Sequence, residues 1–507
     1  MQDRVYITTP LYYVNAEPHL GSTYTTVVCD AFARFHRQRG IPTFLMTGTD
    51  EHGEKIAEAA AEAGRAPKDF VDEVSAKFRA VWDSCGIRYD HFIRTTDDNH
   101  VRYVQEVLQR IHDAGDIYFG EYSGLYCVGC ERLYTEKELV DGLCPQHLTK
   151  PSQISEPNYF FRMSRYQDAL REHIAANPDF IRPEGYRNEA LAMLREPLGD
   201  LCISRPKARL SWGIEIPFDR GYVTYVWFDA LLNYVSGLER HGVRDEFWPA
   251  ANHFVGKDIL KAHAIFWPTM LLAADLPLYR HLNVHGYWTS GGQKMSKSLG
   301  NVVRPLEMRD RYGMDTLRYF VLREMAFGQD ADFTEAALVT RRNADLANGI
   351  GNLASRTLAM SQRYFRGEVQ PIGEPEETDR ALAAAFAQAR AELDAHVTAL
   401  AFHRGLEAIW RGIDAANKYI VETAPFTLAK DEGKRARVGA ILHNCLEALR
   451  SAAQLLVPFL PETAERLRVA LAIDETRFAD LDLAWGRAFP PGHRTGEPVA
   501  LFPRVEV

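Results

Sequence analysis

Hydrophobic and polar positions follow two alternating periods along the first third of the chain. "RVYITT" and "IPTFLMTGTD" are short apolar runs typical of buried strands, while "STYTTVVCDAFARFHRQRG" and "EKIAEAAAEAG" repeat apolar residues at helical spacing. Gly40 and Gly64 stand where these two helices should end. Strands alternating with helices of this length predict βαβ units, and therefore an α/β fold with a Rossmann-like, doubly wound parallel sheet.

The rhythm stops near Tyr118 and returns only after residue 221. The interrupting stretch is rich in turn residues and carries clustered cysteines, so we interpret it as an insertion that splits the sheet. From about Phe333 the pattern becomes almost wholly helical, which predicts a separate α-helical bundle. The predicted organisation is a Rossmann-like domain over 1–115 and 222–289, an insertion over 116–221, a connecting region over 290–345 and a helical domain over 346–507.

Composition narrows the class of protein. The chain has 507 residues, of which 46% are hydrophobic and 25% charged, as expected for a globular protein with several domains. No apolar run reaches the roughly 18 residues of a membrane span, and the N-terminus does not resemble a signal peptide. Seven cysteines in so long a chain favour a reducing, cytoplasmic location. A net charge of −9 argues against indiscriminate nucleic-acid binding but allows a local RNA-binding surface.

"NAEPHLGSTY" places His19 and Gly21 at the predicted junction between the first strand and the helix that follows it. Helix N-termini carry partial positive charge and free N–H groups, so they bind anions. Gly21 lets a ligand approach the backbone, and His19 can donate to a phosphoryl oxygen whose charge grows in a transition state. An ordinary surface histidine is the alternative, and this short motif alone does not decide between the two.

"GGQKMSKSLGN" sets Lys294 and Lys297 in a loop flanked by glycines. Two ammonium groups on a mobile loop can follow a triphosphate through its reaction as point charges. The alternative is a basic loop that is simply solvated. This interpretation is less favoured because the same chain also has a predicted anion site after the first strand.

Four potential metal ligands form a Cys-x2-Cys and Cys-x2-His pattern in the insertion: Cys127, Cys130, Cys144 and His147. Two closely spaced pairs joined by a loop are what tetrahedral zinc requires, and free thiols that happen to cluster are the alternative. With all four positions filled by protein ligands, the pattern predicts one structural rather than catalytic zinc ion.

The chain resembles a known enzyme family in both of its glycine-bearing motifs. HLGS is similar to the HIGH signature of class I aminoacyl-tRNA synthetases, and KMSKS matches their second signature letter for letter. The resemblance narrows to the methionyl-tRNA synthetases, because "TTPLYYVNAEPHLG", "TGTDEHGEKI", "YVWFDALLNY", "FVGKDILKAHAIFWP", "NVHGYW" and "NADLANGIGNLASR" are similar to that family in its order. These blocks cover almost the whole chain.

The resemblance implies how ATP is bound and activated. It assigns catalysis to His19, Ser22, Lys294 and Lys297, and ATP binding, with Mg²⁺, to His19, Gly21, Gly286, Lys294, Ser296 and Lys297. The attacking methionine carboxylate is already a nucleophile, so the step needs positioning and charge stabilisation rather than a base. The family tetrad normally ends in a second histidine. Ser22 is shorter and never cationic, so we expect weaker transition-state stabilisation here.

The same resemblance implies a methionine pocket and an anticodon surface. The implied pocket residues are Leu11, Tyr13, Asp50, Trp227, Ala230, Leu231, Tyr234, Asp258, Ile259 and His263, with Asp50 facing the α-ammonium group and Arg205 paired with Asp258 to order the site. Aromatic walls suit the polarisable sulfur of methionine. Asn352 and Arg356, four positions apart on one helical face, match anticodon-reading residues, and Phe426 replaces the family's stacking tryptophan.

The predicted function is that of a methionine–tRNA ligase, which forms methionyl-adenylate from L-methionine and ATP and then charges initiator and elongator tRNA(Met). The insertion is too short for the editing domain of leucine, isoleucine or valine enzymes. A cysteine enzyme would use zinc to hold the substrate thiol, whereas this zinc pattern lies in the insertion with its ligands complete. A non-aminoacylating paralogue, favoured by Ser22 and Phe426, or a free-standing amino-acid adenylating enzyme are the alternatives. We expect a cytoplasmic monomer without membrane contact.

Overall fold

The structure, a computed structural model, describes residues 4–15, 17–128, 132–134, 136–145, 148–295 and 300–506. The chain forms two compact units. Unit 1 comprises Met1–Asp30 and Ile41–Gly286, and unit 2 comprises Ala31–Gly40 and Tyr287–Val507. Helices of the described ranges are all too short or too polar to cross a membrane.

Unit 1 is organised around a parallel seven-stranded sheet, as the sequence predicts. Its strands are β1 (Val5–Thr8), β2 (Tyr12–Tyr13), β3 (Thr43–Asp50), β4 (His91–Arg94), β8 (Ile181–Arg182), β13 (Ala251–Gly256) and β14 (His281–His285). The order is β2-β3-β1-β13-β14-β8, with β4 also on β3. All four residues of β1 are buried, and Tyr6 pairs with both Phe44 and Ala251. A strand buried on both faces explains the uninterrupted apolar run.

The helices of unit 1 include the two that the apolar pattern predicts, whereas the helices Gln167–Ala176 and Glu184–Met193 and the sheet strand β8 lie within the predicted insertion. The unit 1 helices are α1 (Leu20–Gln38, which continues into unit 2), α2 (Glu54–Glu62), α3 (Pro67–Ser84), α4 (Asp98–Asp113), α5 (Gln167–Ala176), α6 (Glu184–Met193), α7 (Val226–Leu231), α8 (Asn233–His241), α9 (Arg244–Phe247) and α10 (Trp267–Ala273). Gly40 and Gly64 follow α1 and α2 with positive φ, as helix-ending glycines do.

The insertion contains more regular structure than its turn-rich composition suggests. One antiparallel sheet has the order β6-β5-β7-β9, formed by β5 (Ile117–Cys127), β6 (Arg132–Tyr134), β7 (Ser152–Phe161) and β9 (Leu201–Cys202). A second sheet, β10-β12-β11, is formed by β10 (Ser204–Pro206), β11 (Glu215–Ile216) and β12 (Asp219–Thr224). Strands β5 and β7 pair from Ile117↔Phe161 to Tyr126↔Ser152, so they form a long ribbon.

Unit 2 is mainly helical, which confirms the predicted helical region. A small sheet of β15 (Trp288–Ser290), β16 (Gln293–Lys294) and β17 (Ala331–Phe333) accompanies α11 (Pro305–Tyr312), α12 (Met314–Glu324), α13 (Glu335–Arg341), α14 (Asn352–Phe365), α15 (Glu377–Thr398), α16 (Phe402–Thr423), α17 (Pro425–Leu428), α18 (Arg435–Leu456), α19 (Pro461–Ala470) and α20 (Glu475–Ala479). A π-helical segment, Arg342–Gly351, joins α13 to α14. The spacing of apolar residues does not distinguish this π-helical segment from an α-helix.

Candidate active site

The carboxyl ends of the parallel strands bring several predicted site residues to one edge of the sheet. Asp50 is the last residue of β3, Asp258 follows β13 and Gly286 follows β14 directly. His19 comes after β1 and β2 and immediately precedes α1. In open α/β sheets this edge is where ligands bind.

The N-terminus of α1 fixes the orientation of His19. The N–H of Gly21 donates to His19 Nδ1 at 3.0 Å, so in the neutral ring the proton is on Nε2. A Cβ on Gly21 would lie 2.9 Å from His19 Cε1, so a larger residue at this position would displace the ring. His19 is exposed, so its Nε2–H can donate to an incoming ligand.

Ser22 uses its hydroxyl group on the backbone of residue 19. Its Oγ accepts from the N–H of His19 at 3.0 Å and donates to the carbonyl of His19 at 2.8 Å. The first of these bonds is one half of a capping box, with Ser22 as the third helical residue, while the His19 side chain accepts from Gly21 rather than from Ser22. The side chain is buried, and its only proton is already donated within the motif.

Neutral aromatic side chains surround the predicted amino-acid pocket. His263 Nδ1 lies 2.9 Å from the carbonyl of Ile259, which can only accept, so Nε2 receives the hydroxyl of Tyr234 at 2.8 Å. Burial lowers the pKa of His263 to about 4, and burial also raises the pKa of Tyr234. Both side chains are therefore uncharged near neutral pH.

The remaining predicted pocket residues lie on β2, β3, α7 and the segment that follows β13. The rings of Trp227 and His263 meet edge to face, with centroids 6.2 Å apart. Asp50 pairs in register with Tyr13 across β2 and β3. Asp50, Ala230, Leu231, Tyr234 and His263 are buried, Leu11, Tyr13, Trp227 and Ile259 are half-buried, and Asp258 is exposed.

A buried carboxylate between two histidines holds α7, and sequence reasoning missed it. Asp229 accepts from His52 Nδ1 at 2.7 Å and from His100 Nε2 at 2.7 Å, and His100 Nδ1 lies 2.8 Å from Ser236 Oγ. Burial opposes ionisation of Asp229, but the two histidines more than offset it and lower its pKa. The group ties α7 to the loop that follows Asp50, although "DEHG" and "FDAL" give no local sign of this contact.

A second missed group lies beside Gly286. His285 Nδ1 donates to the Gly286 carbonyl at 2.7 Å, and its Nε2 accepts from Thr25 Oγ1 at 2.8 Å. Tyr24 packs edge to face on the same ring. Burial lowers the pKa of His285, so it is a neutral link between α1 and the end of β14. In the sequence, the histidine of "NVHGYW" could have indicated this group.

Arg205 lies in an aromatic environment at the start of the second insertion sheet. Its guanidinium is buried, 4.8 Å from the ring centroid of Tyr225 and 5.3 Å from that of Tyr126. It donates to the Ser204 carbonyl at 2.6 Å. Its predicted pairing with Asp258 stays a prediction.

Two of the four predicted zinc ligands belong to one small buried cluster, at the end of β5 and just after the turn that follows Val140. Cys127 and Cys144 are both buried free thiols, and Tyr134 packs with them. Cys130 and His147 lie outside the described residues. Within the described ranges no group of three or more histidine, cysteine or acidic residues is placed to hold a metal.

In unit 2, the glycine pair of the KMSKS region forms a tight hairpin. Gly291 and Gly292 have φ of 63° and 73°, as a type I′ turn between β15 and β16 requires. Asp332 accepts from the N–H of Gly292 at 2.9 Å and fixes the turn to β17. The backbone of Lys294 pairs with Thr289, whereas Ser296 and Lys297 lie outside the described residues.

The three predicted anticodon residues lie on α14 and α17. Asn352 and Arg356 are half-buried in the first turns of α14, as their spacing predicts, and Phe426 is 47% exposed. Asn352 Nδ2 donates to Asn417 Oδ1 at 2.9 Å, and Asn417 Nδ2 in turn donates to the Gly349 carbonyl at 3.2 Å. Asn417 therefore orients the amide of Asn352, and sequence reasoning missed it.

Comparisons with known proteins agree along the whole chain. Residues 5–154 and 147–358 match the family described as "tRNA synthetases class I (M)", and residues 369–507 match "Anticodon binding domain of methionyl tRNA ligase". The methionine–tRNA ligase of Clostridium acetobutylicum is 45% identical over 99% of this chain and 78% of its own length, and that of Deinococcus radiodurans is 46% identical over 99% and 74%.

Two solved structures are similar to this one. Mycobacterium tuberculosis methionyl-tRNA synthetase in complex with methionyl-adenylate has a TM-score of 0.95 and 40% identity, covering 99% of this chain and 100% of that one. The apo form of the same enzyme has a TM-score of 0.88 and 36% identity, covering 100% and 99%.

Proposed function

Because this chain belongs to the methionyl-tRNA synthetases, a family of class I aminoacyl-tRNA synthetases, and is a methionine–tRNA ligase, we propose that its active site lies at the carboxyl edge of the parallel sheet in unit 1. The observation that carries this proposal is the common position of His19, Asp50 and Gly286 at that edge. There the carboxylate of L-methionine attacks the α-phosphorus of ATP. The P–O bond to pyrophosphate breaks. The methionyl group of the adenylate then passes to a terminal ribose hydroxyl of tRNA, and AMP leaves.

In the proposed mechanism His19 donates a hydrogen bond to the α-phosphoryl group of ATP at this edge of the sheet. Because Nδ1 accepts from Gly21, the ring proton of the neutral imidazole is on Nε2, and the N-terminus of α1 adds partial positive charge. The charge that develops on the α-phosphoryl group is stabilised by these fixed donors. Gly21 and Gly286 would allow ATP to approach the backbone closely.

We assign Ser22 a positioning role in this motif. Its hydroxyl bonds to both backbone groups of residue 19, which holds the His19 backbone at the start of the helix. Ser22 was predicted from the family signature to be catalytic, as a donor. The capping geometry favours support of His19 instead, because a hydroxyl has one proton to donate.

Lys294, Ser296 and Lys297 would bind the β- and γ-phosphates of Mg²⁺–ATP, as the match to KMSKS implies. A lysine ammonium is a compact charge with three donors, suited to a phosphate group that moves as pyrophosphate leaves. This proposal rests on the sequence motif.

For the amino acid, Asp50 would bind the α-ammonium group and the aromatic residues would surround the side chain. Tyr234 and His263 are neutral and bonded to each other, so they offer a polarisable wall without a charge. Trp227, which meets His263 edge to face, would supply the opposite contact. Leu11, Tyr13, Ala230, Leu231, Asp258 and Ile259 complete the proposed pocket, and Arg205 orders it.

One zinc ion would be held by Cys127, Cys130, Cys144 and His147. The thiols of Cys127 and Cys144 share one buried cluster, and paired thiols with a histidine suit tetrahedral zinc. Zinc bound by four protein ligands would stabilise the insertion and leave no position for substrate.

Unit 2 would bind the anticodon of initiator and elongator tRNA(Met). Asn352 and Arg356 would read bases, and the exposed ring of Phe426 would stack on one of them. We retain the functional division into 1–115 and 222–289, 116–221, 290–345 and 346–507 as part of the proposal, with the third region contacting the tRNA stem.

Amino-acid-dependent pyrophosphate exchange tests the pocket assignment. We expect efficient exchange with L-methionine and little with leucine or isoleucine, because a flexible thioether fits between Trp227 and the Tyr234–His263 pair. Charging of initiator and elongator tRNA(Met) with the same preparation completes the test. Equal exchange with leucine or isoleucine would contradict the pocket.

A further inference from the structure

Tyr126 lies at a junction between the cysteine-bearing strand and the proposed methionine pocket. It is the penultimate residue of β5, next to Cys127, and its side chain is 2% exposed. The pairing of Tyr126 with Ser152 and Leu133 fixes its position in the insertion sheet.

Two arginines share the ring of Tyr126. Arg209 lies 4.5 Å and Arg205 lies 5.3 Å from the ring centroid, within the distance for cation–π attraction. Arg205 also contacts the ring of Tyr225, so its buried guanidinium is held between two tyrosines. We call Tyr126, Tyr225, Arg205 and Arg209 the tyrosine–arginine stack.

One side of the stack leads to the helix that carries the proposed pocket. Tyr225 directly precedes α7, and its carbonyl accepts from Phe228 and Asp229 in the first turn. The N–H of Tyr225 donates to the Ile203 carbonyl at 2.8 Å. A displacement of Arg205 would therefore change the position of the first turn of α7, which contains Trp227.

The other side leads to the segment that follows Asp50. Arg209 donates to Glu54 Oε2 at 2.9 Å and to Glu156 Oε1 at 3.1 Å. Glu54 is the first residue of α2, four positions after Asp50. Buried cation–aromatic contacts and part-buried ion pairs constrain geometry more than exposed pairs do.

A separate, more exposed ion pair also connects the insertion to the proposed methionine pocket. Lys261 donates to Glu138 Oε1 at 3.0 Å, and Lys261 lies between the pocket residues Ile259 and His263. Both side chains are 32% exposed, so this pair contributes less than the buried stack.

We propose that Tyr126 is a positioning residue that couples the cysteine-bearing strand β5 to the methionine pocket through Arg205 and Arg209. The inference rests on the proposed function of that pocket. It gives a structural zinc ion an effect on methionine binding without any contact between metal and substrate.

Three variants test the coupling in the full-length protein: Tyr126→Leu, Tyr126→Phe and the control Tyr159→Phe. Tyr159 is another insertion tyrosine, whose hydroxyl donates to Asp219, a residue outside the stack, at 3.0 Å. Zinc content, the Kd for L-methionine by calorimetry and pyrophosphate exchange are measured for each. Tyr126→Leu should keep the zinc and weaken methionine binding about tenfold, because two cation–π contacts are lost.

Tyr126→Phe keeps the ring but loses the hydroxyl that bonds to Arg205. It should weaken methionine binding by a smaller factor, about threefold, whereas Tyr159→Phe should behave as the unaltered protein. Unchanged methionine affinity in Tyr126→Leu would overturn the coupling. If Tyr126→Leu loses zinc or unfolds, an unchanged affinity in Tyr126→Phe would overturn it. Failure of the unaltered protein to exchange pyrophosphate with methionine would instead contradict the proposed function.

Discussion

Individual side chains of the first helix show how a substitution in a signature motif can change a residue's task. Ser22 stands where the family signature has a histidine, and its hydroxyl bonds to the N–H and carbonyl of His19. Gly21 donates to the ring of His19, which sets the tautomer. In the proposed mechanism one imidazole therefore donates to the phosphate, while Gly21 and Ser22 hold its ring and backbone in place.

Substitutions at His19 and Ser22 should separate these two tasks. His19→Ala should lower the rate of adenylate formation about 10²–10³-fold, the usual cost of a lost transition-state donor. Ser22→Ala should lower it only about fivefold, the cost of a lost cap of about 1 kcal/mol, and Ser22→Thr should restore most of the loss. Rates are measured at saturating ATP and methionine.

The Kd for methionine is the control in this series, since neither residue belongs to the proposed amino-acid pocket. An unimpaired His19→Ala enzyme would show that HLGS is not the phosphate site. A Ser22→Ala enzyme as damaged as His19→Ala would show that the serine acts as a direct donor.

Secondary-structure elements of unit 2 depend on contacts that lie far apart in sequence. Asp315, the second residue of α12, accepts from the N–H of Thr463 at 2.6 Å and so caps α19. The carboxyl is buried, and its Oδ1 has no hydrogen-bond partner among the described residues. Burial raises the pKa of Asp315 to about 6, although Thr463 and Arg318 act in the opposite direction.

The stability of the protein should fall as this carboxyl ionises. Its folded pKa is above the unfolded value of 3.8, so the folded state binds the proton more tightly. The contribution is complete below about pH 4 and is lost as the pH rises through about 6, with a total on the order of 3 kcal/mol. Thermal unfolding followed from about pH 4 to about pH 7 measures it.

Asp315→Asn is the matched variant, because the amide oxygen can still accept from Thr463 and cannot ionise. We expect a flatter dependence of Tm on pH in this variant than in the unaltered protein. Identical pH profiles would show that Asp315 does not titrate in this range.

At the scale of the whole molecule, methionine binding and anticodon recognition are proposed for different parts of the chain, whereas the lysines of KMSKS, proposed to bind ATP, belong to unit 2. The residues proposed for methionine belong to unit 1, and the anticodon residues belong to unit 2. The two half-reactions can therefore be impaired separately. The monomeric state stays a prediction.

Arg356→Ala should impair charging of tRNA(Met) while leaving methionine-dependent pyrophosphate exchange unchanged. Loss of a base-reading arginine should raise the KM for tRNA by about tenfold or more. Arg380→Ala, which removes an exposed arginine of α15 that donates to the Pro375 carbonyl, controls for the loss of charge. Normal charging by Arg356→Ala, or equal defects in both variants, would contradict the anticodon assignment.

Local patterns determined much of this protein by themselves. Periodicity predicted strands β1 and β3, helices α1 and α2 and the helical region, because each pattern repeats within a few residues, whereas β8 lies within the stretch predicted to be an insertion. Family blocks such as KMSKS and HLGS determined the activity, because matched spacing of chemically suited residues seldom arises by chance. The long β5–β7 ribbon and the π-helical segment were not predicted, since turn-rich composition and apolar period do not distinguish them.

Tertiary structure alone decided the partners of the charged and polar groups. His52 and Asp229 are 177 positions apart, and Thr25 and His285 are 260 apart, so no local pattern announces either contact. The tautomer of His19, the neutral state of His263 and the stack around Tyr126 likewise depend on which groups folding places beside them. Protonation and orientation follow from desolvation and the nearest hydrogen-bond partner, which exist only once the chain has folded.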